Sequence, residues 1–201
     1  MIQYASYLKN FVSTFPELEK ELPWNVVSAV VNIIQQKIKN LNSDYKVTHD
    51  VAIHKTATIE ENVILKGPII ISPGCFIGAH AYLRAGVYLA EKSVIGPGCE
   101  VKSSLIMSGS TLAHFNFVGN SLIGSYVNME AGSIIANHYN ERIDKTISVM
   151  INKKKIQIDS TKFGALIGDH SKIGANAVLS PGTILQPESV VKRLELVEQC
   201  G

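Results

Sequence analysis

Four residues carry the spacing that a group-transfer reaction would need: Arg84, Lys102, His114 and Ala131. Arg84 and Lys102 each directly follow an aliphatic residue, Leu83 and Val101. His114 and Ala131 each stand two places after another such residue, Leu112 and Met129. If those aliphatic residues stack on one another, Arg84 lies beside Lys102, and His114 lies beside the backbone N–H of Ala131. Adjacent cations repel unless an anion or an acid neutralises them, so the first pair suits a phosphate. The alternative is two separately solvated side chains. A histidine imidazole titrates near neutrality and can take a proton from an attacking nucleophile, while an N–H donor can hold the oxyanion of acyl transfer. The other reading of a histidine here is an ordinary surface residue. His49 and His54 stand at the entrance to the repeat described next, and His80 and His170 fall at its turns.

The elements that must position these residues follow a six-residue period. Aliphatic residues recur at Ile53, Ile59, Leu65, Ile71, Ile77, Leu83, Leu89, Ile95 and Val101. The fourth residue after each is small or aliphatic, as at Ala57, Cys75, Ala81, Cys99 and Leu105. Two inward positions per hexad fit neither a 3.6-residue helix nor an alternating hairpin sheet. They fit a solenoid in which each hexad is one short face, with the wide aliphatic inside and the small residue in the corner. Three faces make a triangular coil of about 18 residues, and coils stack at about the 4.8 Å spacing of paired strands.

The period continues through Ile106, Leu112, Val118, Ile123, Met129 and Ile135, with two hexads shortened to five residues, and resumes from Ile167 to Val191. One face then holds Leu83, Val101 and Val118, the next Leu89, Ile106 and Ile123, and the third Ile95, Leu112 and Met129. Residues 136–166 form an excursion of a kind that is often functional. Within it, Lys153-Lys154-Lys155 between two apolar stretches predicts the solvated tip of a β-hairpin. Residues 1–47 lack the repeat. Ser13-Thr14-Phe15-Pro16-Glu17 reads as a helix cap followed by Pro in the first turn, and Val26 to Ile38 suits a packed helix. The expected organisation is a helical cap on the first coil over 1–47 and the β-helix over 48–201, an all-β solenoid with an N-terminal helical segment.

Composition narrows the function. A chain of 201 residues with a formal charge of +2 lacks the basic stripe of a nucleic-acid binder. It contains no run of about 20 apolar residues for a membrane span. Met1-Ile2-Gln3-Tyr4 lacks the basic start and apolar run of a secretory signal, which points to the cytoplasm. Cys75 and Cys99 fall at inward positions and read as buried thiols, so neither a disulfide nor a bound metal is expected.

Residues 77–185 resemble the acetyltransferase domain of the bifunctional enzymes that make UDP-N-acetylglucosamine, together with their archaeal sugar-1-phosphate nucleotidyltransferase relatives. These are hexapeptide-repeat proteins with left-handed coils. Periodicity alone does not reveal the hand, and the usual crossover rule is right-handed. Ala113-His114-Phe115-Asn116-Phe117-Val118-Gly119 resembles the family's catalytic stretch, which implies His114 as the general base. Tyr82-Leu83-Arg84-Ala85-Gly86 and Glu100-Val101-Lys102 resemble its sugar-phosphate cations. Val127-Asn128-Met129-Glu130-Ala131-Gly132 and Ala136-Asn137 resemble its amino-sugar and acyl-donor contacts. The resemblance implies the Ala131 amide as the oxyanion donor, and Ala131 and Ala175 as cofactor contacts. The basic residue of the following loop corresponds to Arg142 or Lys145, with Lys145 carried as the substrate contact. The segment Lys162-Phe163-Gly164-Ala165-Leu166-Ile167-Gly168 resembles the archaeal type.

The resemblance implies a homotrimer that uses acetyl-CoA, without a metal, to acetylate the amine of an amino-sugar phosphate or nucleotide-linked amino sugar. A related version takes a longer acyl chain from an acyl carrier protein. Two departures point to an acceptor other than glucosamine-1-phosphate: Phe117 replaces a common tyrosine, and His138 replaces an aromatic or aliphatic residue. The family's nucleotidyltransferase domain is not among these residues, so nucleotide transfer is not expected. The competing reading is a non-catalytic β-helix that serves as an oligomerisation or regulatory module. A zinc-dependent β-helical carbonic anhydrase needs a histidine pair five residues apart, and Gly119 stands where the partner of His114 would fall.

Overall fold

A single hexad cannot bury its own aliphatic residue, so the chain must wind and stack before a core exists. The computed structural model describes residues 2–200; Met1 and Gly201, the outer limits of the two expected spans, lie outside the described residues. The chain winds as a parallel β-solenoid. On its first face Leu65, Leu83, Val101, Val118, Ile135, Leu179 and Val197 pair in register. The second face stacks Ile53, Ile71, Leu89, Ile106, Ile123, Ile167 and Leu185. The third stacks Ile59, Ile77, Ile95, Leu112, Met129, Ile173 and Val191. These columns form one continuous interior with Cys75, Ala81, Cys99 and Ala177 among its corner residues. Among the described residues, no helix is long and apolar enough to cross a membrane.

One residue departs from its expected place. The shortened hexad after Val101 lies beside a full one after Leu83, and the pairing slips between Arg84 and Val87, so that Val87 meets Ser104 and Tyr88 meets Leu105. Ser104 takes the corner, and Leu105 turns outward instead of inward. It is nevertheless only 1% exposed.

Leu105 is buried because the outer surface of the second face is covered. Its outward row, Ala52, Ile70, Tyr88, Leu105, Leu122, Leu166 and Ile184, forms a second core with Phe11, Phe15, Trp24, Val27, Val30 and Ile34 from the N-terminal segment. Tyr139, Ile147, Val149 and Phe163 of the excursion join it. Here α1 (Phe11–Thr14) and α2 (Pro23–Ile38) lie along the flank of the solenoid. Phe15 meets Tyr88 edge-on at 5.0 Å, and Trp24 meets Phe163 at 5.9 Å. Gly86, at φ 90°, lets α2 approach: a Cβ there would stand 2.8 Å from Val30 Cγ1.

The expected helical cap across the first coil is therefore corrected. An apolar row running over many coils offers far more area to bury than one coil edge does. The edge itself needs backbone partners, which β1 (Tyr45–Thr48) supplies by pairing antiparallel with β2 (Val51–His54). The boundary expected at residues 47/48 falls inside β1. The cap at Ser13-Thr14 is also corrected, since both hydroxyls donate to the Asn10 carbonyl from within α1, and Pro16–Leu18 is a separate 3-10 turn. The excursion leaves after Ile134–Ile135 and returns at Ala165–Ile167. Its hairpin pairs Ser148–Ile151 with Lys154–Gln157, and Lys153 to Lys155 are exposed at its tip.

Two-sided packing of the second face makes Leu105 behave as a core residue. Leu105→Ala should cost about 2–5 kcal/mol, comparable to Leu112→Ala in the solenoid interior. Chemical denaturation of both variants checks this; a solvent-facing Leu105 would cost under about 0.5 kcal/mol.

Candidate active site

His114 stands at the corner between the third and first faces, where the chain turns from Thr111–Leu112 to Phe117–Gly119. Backbone bonds hold it from both sides: Gly132 N–H donates to the His114 carbonyl at 2.9 Å, and Phe115 N–H donates to that of Pro97 at 3.1 Å. The imidazole is exposed. Phe115, 71% exposed, lies over Gly98, where a Cβ would come within 2.5 Å of its ring. Buried Asn116 ties this coil to the next, its Nδ2 donating to the Glu130 carbonyl at 2.7 Å and to Ser133 Oγ at 2.8 Å. Its anchoring role was missed from the sequence, although a large amide at a corner position that elsewhere holds Ala81, Cys99 and Ser133 was a signal for it.

Ala131 lies one coil along from His114, as the pairing of Leu112 with Met129 requires. Its N–H makes no hydrogen bond among the described residues. The reason lies in the residue one coil earlier. Ala79 N–H donates to Glu60 Oε2 at 2.7 Å, and Ala175 N–H donates to Glu130 Oε2 at 2.9 Å, each a carboxylate from the preceding coil. The residue preceding Ala131 in this column is Ala113, which has no acceptor. Ala175, expected to contact the cofactor, is thus already engaged. Arg193 clamps the same carboxylate through Nε at 2.8 Å and Nη2 at 3.0 Å. Together these donors, Arg193 foremost, pull the Glu130 pKa down to about 2.

Arg84 and Lys102 pair in register at the opposite edge of the first face. The acid that neutralises Arg84 is Glu100, with Nη2 to Oε1 at 2.6 Å. Lys102 makes no such ion pair among the described residues; burial first, and then Lys162 and Arg84, lower its pKa. Phe117, half-buried, sits on the outer row of the first face between Glu100 and Ile134. Asn128 is exposed on the third face, between Thr111 and Lys172.

Two expected substrate contacts are spent inside the fold. Asn137 is 5% exposed; its Nδ2 donates to Asn120 Oδ1 at 2.7 Å, and its Oδ1 faces His138 Nδ1 at 3.2 Å. It packs over Gly119, where a Cβ would lie 2.9 Å from its Cγ. Lys145 Nζ donates to the Tyr139 and Asn140 carbonyls, both at 2.8 Å, and so closes its own loop. Arg142 stacks on the Tyr139 ring at 3.6 Å and pairs with Glu198. The fold thus brings together His114 with Ala131, and Arg84 with Lys102, but sets the two pairs at opposite edges of one face.

A parallel solenoid with a six-residue period and this corner chemistry defines a hexapeptide-repeat β-helix protein. Residues 65–156 match a family described as the GMPPB C-terminal domain, and residues 164–192 match the hexapeptide repeat of succinyl-transferase. Over most of its length the chain is similar to one part of the bifunctional sugar-1-phosphate nucleotidylyltransferase/acetyltransferases. It is 37% identical to the bifunctional sugar-1-phosphate nucleotidylyltransferase/acetyltransferase of Sulfurisphaera tokodaii over 166 residues, 80% of this chain and 41% of the relative. The bifunctional protein GlmU of Methanococcus vannielii is 34% identical over 182 residues, 88% of this chain and 43% of the relative. The chain therefore spans about two fifths of the length of these relatives. A hexapeptide transferase family protein from Anaplasma phagocytophilum aligns with a TM-score of 0.40 at 19% identity, covering 73% of this chain and 72% of that one.

The Glu130 clamp can be tested by titration. Its carboxyl carbon, followed by NMR, should titrate near pH 2, against the ordinary glutamate value of 4.5, and should move up towards that value in Arg193→Gln. Because the folded pKa is depressed, the clamp's contribution is present above the ordinary value and is lost as pH falls through about 2. A midpoint near 4.5 in the wild type would show that the clamp does not form in solution.

Proposed function

We propose that this chain is a cytoplasmic, homotrimeric acyltransferase that moves the acetyl group of acetyl-CoA to the amine of an amino-sugar phosphate or nucleotide-linked amino sugar. One observation carries the reading: an exposed imidazole, His114, stands one coil from an unengaged backbone N–H at Ala131. The amine attacks the thioester carbonyl, forming the C–N bond, and His114 accepts the proton the nitrogen sheds. Ala131 N–H donates to the oxygen that becomes negative. The carbonyl re-forms as the C–S bond breaks, and the CoA thiolate leaves and recovers a proton from the imidazolium.

Arg84 and Lys102 would hold the acceptor phosphate, with Phe117 and Asn128 bordering the sugar. A corner turn and the whole strand Phe117–Gly119 separate His114 from the far edge of the first face. That separation supports a site completed between copies, with the cations of one protomer facing the imidazole of another, and hence the trimer. Light scattering should find three chains per particle. A monomer at micromolar concentration would count against both the assembly and the shared site.

The internal engagement of Asn137, Lys145 and the Ala175 amide favours a second reading, a β-helix retained as an oligomerisation module. Calorimetry with acetyl-CoA separates the two, since the module would bind none. Amino-sugar phosphates and UDP-amino sugars should be screened with acetyl-CoA by thiol release. On the best acceptor, His114→Ala should lower kcat by roughly 10²–10⁴-fold without loss of acetyl-CoA binding. A folded variant with wild-type kcat would remove His114 as the base.

A further inference from the structure

The cation pair at the far edge of the first face has a third member. Lys66 lies in register with Arg84, which lies in register with Lys102, so three cations stand on three successive strands of one edge. Two strand intervals span roughly 9–10 Å. The Tyr82 ring lies beside two of them, with Lys66 Nζ at 5.1 Å and Arg84 Cζ at 5.5 Å from its centroid. Against the three stands one carboxylate, Glu100, on Arg84; neither Lys66 nor Lys102 forms an ion pair among the described residues. Burial first, and then the neighbouring charges of Lys162 and Arg84, lower the pKa of Lys102.

The direction of this ladder matters. His114 lies between the coil of Lys102 and the coil that follows it, so the ladder runs away from the imidazole towards the first coil, and Lys66 is its distant end. In the site shared between copies, a single phosphate on a sugar held beside the neighbouring protomer's imidazole would meet Lys102 and Arg84. It leaves Lys66 one strand beyond its reach. A diphosphate extends the negative charge in the direction in which the cations continue. Beside Lys66 the outer row offers Ile64, 53% exposed and paired with Tyr82, an apolar strip on which a nucleoside can rest.

We propose that the acceptor is a sugar nucleotide, and that Lys66, Arg84 and Lys102 together hold its diphosphate. This rests on the acyltransferase reading for the identity of the reaction, but binding of the diphosphate can be measured without turnover. UDP-glucosamine and glucosamine-1-phosphate are titrated calorimetrically, without acetyl-CoA, into the wild-type, Lys66→Ala and Lys66→Arg proteins. Lys66→Ala should weaken UDP-glucosamine about 3- to 10-fold and leave glucosamine-1-phosphate within about twofold, and Lys66→Arg should restore the difference, as expected of a partly exposed charge-assisted contact. Lys66 is exposed, so its replacement leaves the core intact. Equal weakening of both probes, an unchanged affinity for UDP-glucosamine, or no binding of UDP-glucosamine at all overturns the proposal. Acetyl transfer to glucosamine-1-phosphate by a protein that does not bind UDP-glucosamine leaves the acyltransferase reading standing without this one. UDP-glucosamine held through Lys66 by a protein that transfers no acetyl group does the reverse.

Discussion

The parallel pairing of each coil with the next governs the molecule. A strand two or three residues long has almost no stability alone, and its N–H and C=O groups must be satisfied by the coils above and below. Once Leu112 pairs with Ile95 on one side and Met129 on the other, every residue of that hexad has fixed neighbours along the prism. Close stacking also dictates small residues at particular places. A Cβ on Gly96 would lie 1.6 Å from the Ala113 carbonyl oxygen, so the coil that carries His114 can sit where it does only above a glycine.

The second constraint is that a triangular prism has three outer faces and this chain covers one of them itself. The helical segment and the excursion bury the outward row of the second face, giving that sheet apolar packing on both sides and tying early and late coils together. The bond from Asp169 N–H to the Tyr7 carbonyl at 2.8 Å, and that from Lys9 N–H to Asp169 Oδ2 at 2.9 Å, fasten residues far apart in sequence. The other two faces meet at the corner that holds His114. A polar group at that corner can be approached from both uncovered faces, whereas one at either other corner borders the packed flank.

Periodicity made the interior legible, because each inward position follows from counting sixes, and the pairs His114 with Ala131 and Arg84 with Lys102 follow from the same count. It failed where counting is ambiguous. A five-residue hexad can lose its residue before or after the inward corner, and only the pairing of Val87 with Ser104 shows which, turning Leu105 outward. The flank was only partly legible. The residue before each second-face aliphatic is apolar at Ala52, Ile70, Tyr88, Leu122, Leu166 and Ile184, whereas on the third face the same position mixes Thr58, Thr111, Asn128 and Lys172 with Phe76, Val94 and Val190. The uncovered first face carries Ile64, Tyr82, Phe117, Ile134, Val178 and Leu196 there, so an apolar row alone does not mark which face the helices cover. The engagement of Lys145, Asn137 and the Ala175 amide was not legible, because it depends on loop path and side-chain rotamer, which no period encodes.

The corner that carries His114 shows how a repeat can leave one position reactive. Along this edge the third residue of each hexad presents its N–H without a partner from the ladder, and the second residue of the hexad one coil earlier decides its fate. Glu60 takes the N–H of Ala79, and Glu130 takes that of Ala175. Gly96 and Ala113 take nothing, so the N–H groups of His114 and Ala131 remain without partners among the described residues. An unsatisfied donor on an exposed corner costs little while water can reach it, and it becomes a strong hydrogen-bond donor once a ligand displaces that water. Two adjacent free amides and an exposed imidazole therefore coincide in one stretch of the edge. They are bounded on the side of the later coils by the Glu130–Arg193 clamp, which closes the next amide, and on the side of the earlier coils by Pro97, which has no N–H to offer. The chemistry of the edge is confined by which residues are absent from it as much as by the histidine it displays.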